Sequence, residues 1–246
     1  MKFVIGYSVW NKRDMLSWLL DGIHDTFSPD NTEVVFHFDA CTDESDRVFD
    51  SLADTWLVRR GWKPEQIHKL VSHEEVRELG GHNKIMQWFM EHQPIDFCIV
   101  AHDDQRLTAD IRPHLAALKE RYGDRLGLIG GRDGYGAGYS QFTGSFWSES
   151  TVQRRVALGE FVALPYQNSG PNVYTAHLIG KVGYLDPEFK AYYVWDDYGH
   201  RAMQQGFVNG VMGMDLIHRK FGICKATEWV DWSGHDMARR QMKHGF

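Results

Sequence analysis

The sequence predicts an α/β domain in which a mixed, mostly parallel sheet is flanked by helices. Three observations carry that expectation. Short apolar runs of strand length alternate with helical stripes through the first half of the chain. Several runs are continuously apolar, which suits strands buried on both faces. Acidic turns follow directly on two of them, and open α/β sheets bind ligands beyond the carboxyl ends of their strands.

The elements follow in order. Residues 3–9 read as a first buried strand, after which Met15, Trp18, Leu19, Gly22 and Ile23 share one helical face. Residues 33–38 form a second strand. It ends in the polar turn Asp39-Ala40-Cys41-Thr42-Asp43, which opens a helix near Ser45. Residues 66–71 read as a third strand, and Ile85, Trp88 and Phe89 mark the next helix. Residues 96–101 make the clearest strand. Ile111, Leu115, Leu118 and Tyr122 give another helical stripe, and residues 126–130 a further strand.

The second half is less regular. Glycines and aromatics between Gly131 and Gly170 read as a loop that orders over a bound ligand. Residues 175–183 read as a short helix opened by Thr175 and closed by Gly183. Asp196 or Asp197 starts the next helix, with Gly206 near its end. The basic segment 237–243 reads as a solvated, frayed tail.

Composition narrows the function. The chain has 246 residues, with 43% hydrophobic and 24% charged residues, as in ordinary globular proteins. A formal net charge of −6 speaks against a broad electrostatic grip on nucleic acid. Cys41, Cys98 and Cys224 are far apart and include no C-x-x-C pair, which fits a reducing, cytoplasmic compartment. No apolar run approaches the length of a membrane span, so no stable membrane insertion is expected. The histidines offer no H-E-x-x-H pair, and no G-x-S-x-G elbow surrounds a serine.

Two acidic pairs carry the chemistry. His102-Asp103-Asp104 ends the clearest strand, and Trp195-Asp196-Asp197 opens a late helix. Carboxylates at a strand end suit a hard cation, Mn²⁺ or Mg²⁺, which neutralises a leaving diphosphate. A carboxylate across from such a group can take the proton of an attacking hydroxyl, an effect typically worth ~10²–10⁴-fold in rate. An acidic pair also caps helices, and Asp39 in particular can cap the second helix.

Taken in order, these features resemble the family 2 glycosyltransferases of the GT-A fold. The first strand with Asn11 and Lys12 is similar to that family's opening. Phe38-Asp39-Ala40-Cys41-Thr42-Asp43 resembles its D-D-G-S-T-D turn, and Gly80-Gly81-His82-Asn83 its glycine-rich helix start. His102-Asp103-Asp104 stands where D-x-D is found, with His102 replacing the first acid. Trp195-Asp196-Asp197 with Arg201 and Gly206 resembles the E-D motif, and Ile217-His218 the late strand whose histidine approaches the metal.

The resemblance implies a single GT-A domain over residues 1–246, a Rossmann-like architecture with a nucleotide-sugar half at 1–131 and an acceptor half at 132–246. It implies inverting transfer of a sugar from a nucleotide-diphospho-sugar to a hydroxyl acceptor: a glycan, a lipid-linked molecule or a small molecule. A modified nucleic acid fits the acidic chain less well. It implies Asp39, His82, Asn83, His102 and Asp103 as donor contacts and Asp104 and His218 as metal ligands. It implies Asp197 as the catalytic base, with Asp196 as the alternative. Two other readings stay open. A nucleotidyltransferase also needs acidic metal ligands, but the first loop, Trp10-Asn11-Lys12-Arg13, lacks glycine. A catalytically silent nucleotide- or sugar-binding module is favoured by His102 in place of an acid.

Overall fold

The computed structural model describes residues 1–132, 156–164, 170–190, 193–218 and 233–244. The loop expected between Gly131 and Gly170 lies largely outside these residues.

Continuous apolar sequence produces the centre of the sheet. Strands β1 (Phe3–Val9), β2 (Thr32–Asp39), β3 (Ile67–Ser72) and β4 (Phe97–His102) pair in parallel in the order β3-β2-β1-β4. Strand β8 (Asn172–Tyr174) runs antiparallel to β4 and to β6 (Leu126–Arg132). Strand β9 (Val208–Gly213) is parallel to β6, and β7 (Phe161–Ala163) closes the edge antiparallel to β9. The short strands β5 (Gln105–Leu107) and β10 (Leu216–His218) form a separate antiparallel pair that sets His218 opposite Gln105.

The two-residue period of β1 divides the core. Phe3, Ile5, Tyr7 and Val9 join a cluster with α1 (Leu16–Thr26), α2 (Ser45–Trp56) and α4 (Arg112–Tyr122). Val4 faces the other way, into a cluster with α3 (Arg77–Glu91), α5 (Ala176–Val182) and α6 (Val194–Gln204). Helices therefore cover both faces of the sheet. On the second face small residues let α3 sit close: a β-carbon at Gly6 would collide with Ile85, and one at Gly81 with Ser8 and His37. Asn209 locks α6 to the sheet. Its amide donates to the Gly199 carbonyl at 2.7 Å, and its Oδ1 accepts from the Leu128 N–H at 3.0 Å.

Most expected elements are present, with ends shifted by a residue or two. Thr175 caps α5 by accepting from the Leu178 N–H at 3.1 Å, and Gly183 closes it at φ 84°. The basic tail differs. Ser233–His244 is a helix, α7, and its charges are docked. The Asp236 carboxylate is buried and accepts from the Lys190 N–H at 3.0 and 3.1 Å. Arg239 and Lys243 reach Asp186 at 2.7 and 2.9 Å. A helix whose cations find carboxylates this far back in the chain is held by tertiary pairing, which its own sequence does not reveal.

Candidate active site

The loops after β1, β2 and β4 converge at the carboxyl edge of the parallel strands. The Asn11 side chain accepts from the Thr42 N–H at 2.7 Å, and Asp43 accepts from the Arg13 N–H at 2.8 Å. Asp43 also accepts from the Ser45 N–H at 3.0 Å, so it is Asp43 that caps α2. Asp39 is buried and accepts from the Val76 N–H at 2.8 Å. Burial pushes its carboxyl up, against the Val76 and Arg77 amides. The cap expected of Asp39 thus serves the entry to α3 and not α2.

Asp103 is tied to the same loops. Its Oδ2 accepts from the Trp10 N–H at 3.1 Å, and Lys12 stands 4.0 Å from Oδ1. Burial raises its pKa to about 6, with Lys12 opposing. Asp103 therefore joins the end of β4 to the loop after β1. Asp104 follows, half-buried, at the tip between β4 and β5. The β5–β10 register brings the His218 backbone opposite Gln105, the neighbour of Asp104. This pairing joins segments 113 residues apart.

On α3 the two neighbours His82 and Asn83 part company. Asn83 donates to the Leu185 carbonyl at 2.9 Å and accepts from the Leu185 N–H at 3.0 Å. Its side chain clamps the segment after α5 through both its amide groups. His82 is fully buried, 5.7 Å from the His102 ring and 5.8 Å from Trp195. Trp195 in turn stacks on His102 at 6.2 Å. Turned so that both its groups are satisfied, the Asn172 amide accepts from Trp195 Nε1 at 2.7 Å. His82, His102 and Trp195 therefore form one aromatic wall where β4, α3 and α6 meet.

The second acidic pair lies in the first turn of α6, where the helix dipole favours negative charge. Asp197 is fully buried. Its oxygens take Arg201 at 2.8 Å, Lys243 at 2.6 Å and His244 at 2.8 Å. Burial pushes its carboxyl up, but Lys243, Arg201 and His244 together hold it below the usual carboxylate range. Arg201 also donates to the carbonyls of Val182 and Tyr184 at 2.6 and 2.9 Å, which pins α6 to the end of α5. Asp197 was expected to face an acceptor. It is the centre of a buried ion-pair network. Asp196 has Arg240 at 3.4 Å, and burial raises its pKa to about 7. The sequence reading left Arg240 and Lys243 in a solvated tail and passed over His244, because charged residues give no local sign of remote partners.

No family model and no curated protein matches this chain in sequence. Solved structures do match its fold. Against Staphylococcus aureus TarS 1–349 in complex with UDP-GlcNAc the TM-score is 0.62 at 14% identity, over 94% of this chain and 62% of that one. Against the mannosyltransferase PcManGT of Pyrobaculum calidifontis with GDP-Man and Mn²⁺ it is 0.61 at 17% identity, over 90% and 58%. GalNAc-T7 with UDP, GalNAc and Mn²⁺ gives 0.64 at 9% identity, over 100% and 51%. The chain spans about half to three-fifths of these structures. At such identities the likeness is one of architecture: this chain has the GT-A fold of those glycosyltransferases.

Proposed function

We propose that this chain is a glycosyltransferase that moves a sugar from a nucleotide-diphospho-sugar to a hydroxyl acceptor, with inversion. The reading rests above all on Asp196. This carboxylate follows Trp195 in the first turn of α6, and burial raises its pKa to about 7. A base with that pKa is poised to take a proton at neutral pH. The aromatic face of Trp195 suits the C–H face of a pyranose.

Under this reading residues 1–131 hold the donor and residues 132–246 the acceptor. A divalent cation, Mn²⁺ or Mg²⁺, belongs at Asp104 with His218. One carboxylate oxygen and one imidazole nitrogen make a donor set that Mn²⁺ accepts. Bound there, it would neutralise the charge growing on the diphosphate. Asp103 and Asp39 brace the donor edge through the backbone amides they hold. Asp196 takes the acceptor proton as the hydroxyl attacks the anomeric carbon and the diphosphate departs. The free, separated cysteines Cys41 and Cys98 support a reducing, cytoplasmic setting. No described helix is long and apolar enough to cross a membrane.

The test is a thermal-shift panel of nucleoside diphosphates and their sugars with and without Mn²⁺, followed by turnover of those that bind. A ligand at a hundredfold excess over its Kd stabilises the native state by about 2.7 kcal/mol. One nucleotide sugar should bind and turn over, and Asp104→Asn should remove the Mn²⁺-dependent part of the shift while the fold stays intact. Binding without transfer or hydrolysis of any nucleotide sugar would favour a silent binding module.

A further inference from the structure

The aromatic wall hides a second set of ligand atoms. Glu78 and His82 lie four residues apart on α3 and so share one face of the helix. His102 reaches the same point from the end of β4. One ligand atom from each of Glu78, His82 and His102 lies within 4.8 Å of the other two.

Three observations point to an ion at that point. First, His82 is fully buried, and among the described residues neither of its ring nitrogens has a hydrogen-bond partner. A buried polar group left unsatisfied costs roughly 1–3 kcal/mol and calls for an explanation. Second, His102 Nε2 and Glu78 Oε1 are 3.2 Å apart yet fail the angular requirement of a hydrogen bond. The two atoms are close, and no hydrogen bond holds them there. Third, the spacing is right for coordination: ligands at ~2.1 Å from a tetrahedral ion lie about 3.4 Å from one another. The Glu78–His102 pair already stands near that separation.

We propose that Glu78, His82 and His102 form a site for a divalent transition metal of the zinc class. Two imidazoles and one carboxylate suit Zn²⁺, Co²⁺ or Ni²⁺ and disfavour Mg²⁺, which prefers oxygen ligands. Three protein ligands leave one coordination position for a water or an anionic oxygen. The ligand set shares no residue with Asp104 and His218, and the site does not depend on glycosyl transfer being the reaction.

The experiment uses the full chain, stripped with chelator and dialysed. Zn²⁺ binding is measured by equilibrium dialysis, and Co²⁺ binding by its visible d–d absorption. The parent should bind one tightly held ion with a tetrahedral Co²⁺ spectrum. Loss of an outer-shell partner alone costs ~10–100-fold in metal affinity, so losing a ligand should weaken Zn²⁺ by at least ~10-fold in Glu78→Gln and ~100-fold in His102→Ala. Glu78 is exposed, so Glu78→Gln keeps the test valid even if changes at the buried His82 prevent folding. Absence of a bound ion in the parent would overturn the proposal. So would Zn²⁺ binding left unchanged in both variants, or lost in Asp104→Asn and kept in Glu78→Gln and His102→Ala. A bound ion at the triad with no transfer of any sugar would defeat the glycosyltransferase reading alone.

Discussion

The two acidic pairs look alike in sequence and are held in different ways. Asp103 is fixed by the loop after β1, through one backbone amide and a lysine 4.0 Å away. Asp197 is fixed by Arg201 and by Lys243 and His244 of α7. Burial dominates at Asp103 and raises its pKa to about 6, whereas at Asp197 the cations win and hold it low. The neighbours differ again. Asp104 lies half-buried at a strand tip, and Asp196, nearly buried, faces Arg240 at 3.4 Å. In each pair the first-described acid is tied to remote backbone or side chains, and its neighbour is held by fewer contacts, which leaves Asp104 and Asp196 as the acids that the proposed function uses.

The comparison can be broken at several points. The largest effect is expected at Asp197. Asp197→Asn leaves Arg201, Lys243 and His244 without their shared anion, and the loss should approach ~3 kcal/mol, the low end for breaking a buried pair. Urea melts check it. The carboxyl is held low in the folded chain, so its contribution is present above the ordinary carboxylate pKa and lost as pH falls through the folded value. Asp197→Asn should therefore flatten the acid limb of stability.

A smaller effect is expected at Lys243, whose side chain is 30% exposed. Lys243→Met leaves Arg201 and His244 in place and should cost about 1 kcal/mol or less, read from the same melts. The smallest effect, and the opposite sign, belongs to Asp103. Asp103→Asn keeps an oxygen for the Trp10 N–H, and at neutral pH it removes a charge that burial disfavours, so stability should be unchanged or slightly raised. The parent's Asp103 favours the folded state when protonated. That contribution is complete below the unfolded carboxylate pKa and is lost as pH rises through about 6. Equal and large losses in Asp103→Asn and Asp197→Asn would erase the distinction between the pairs.

Local chemistry was legible in the sequence, and long-range pairing was not. Strands β1, β2 and β4 announced themselves because both faces are buried: Val4, Ile5, Val34, Val35, Ile99 and Val100 are all fully inaccessible. The Thr175 cap and Gly183 stop are local signals and were readable. Strands β5, β7, β8 and β10 have three residues each, too few for any periodicity. The β4 tip and the start of α6 were visible as acidic pairs, but which acid does what depends on remote partners. Asn83 finds Leu185 102 residues away, and Lys190 finds Asp236 46 residues away. Glu78 carried a signal that went unread, since the spacing E-x-x-x-H on a helix sets both side chains on one face.

Under the proposed function Asp196, and not its neighbour, takes the acceptor proton. The direct measurement is kcat/KM against pH for the parent, Asp196→Asn and Asp197→Asn with the nucleotide sugar that the parent turns over. A base must be ionised to act, so the parent's rate should rise about tenfold per pH unit and level off above about 7, the pKa of Asp196. Asp196→Asn should lose at least ~10²-fold in transfer, lose that pH limb and keep its affinity for the nucleotide sugar. Asp197→Asn, in the fraction that folds, should keep the limb. A profile flat through neutral pH in the parent, with transfer intact in Asp196→Asn, would contradict the account.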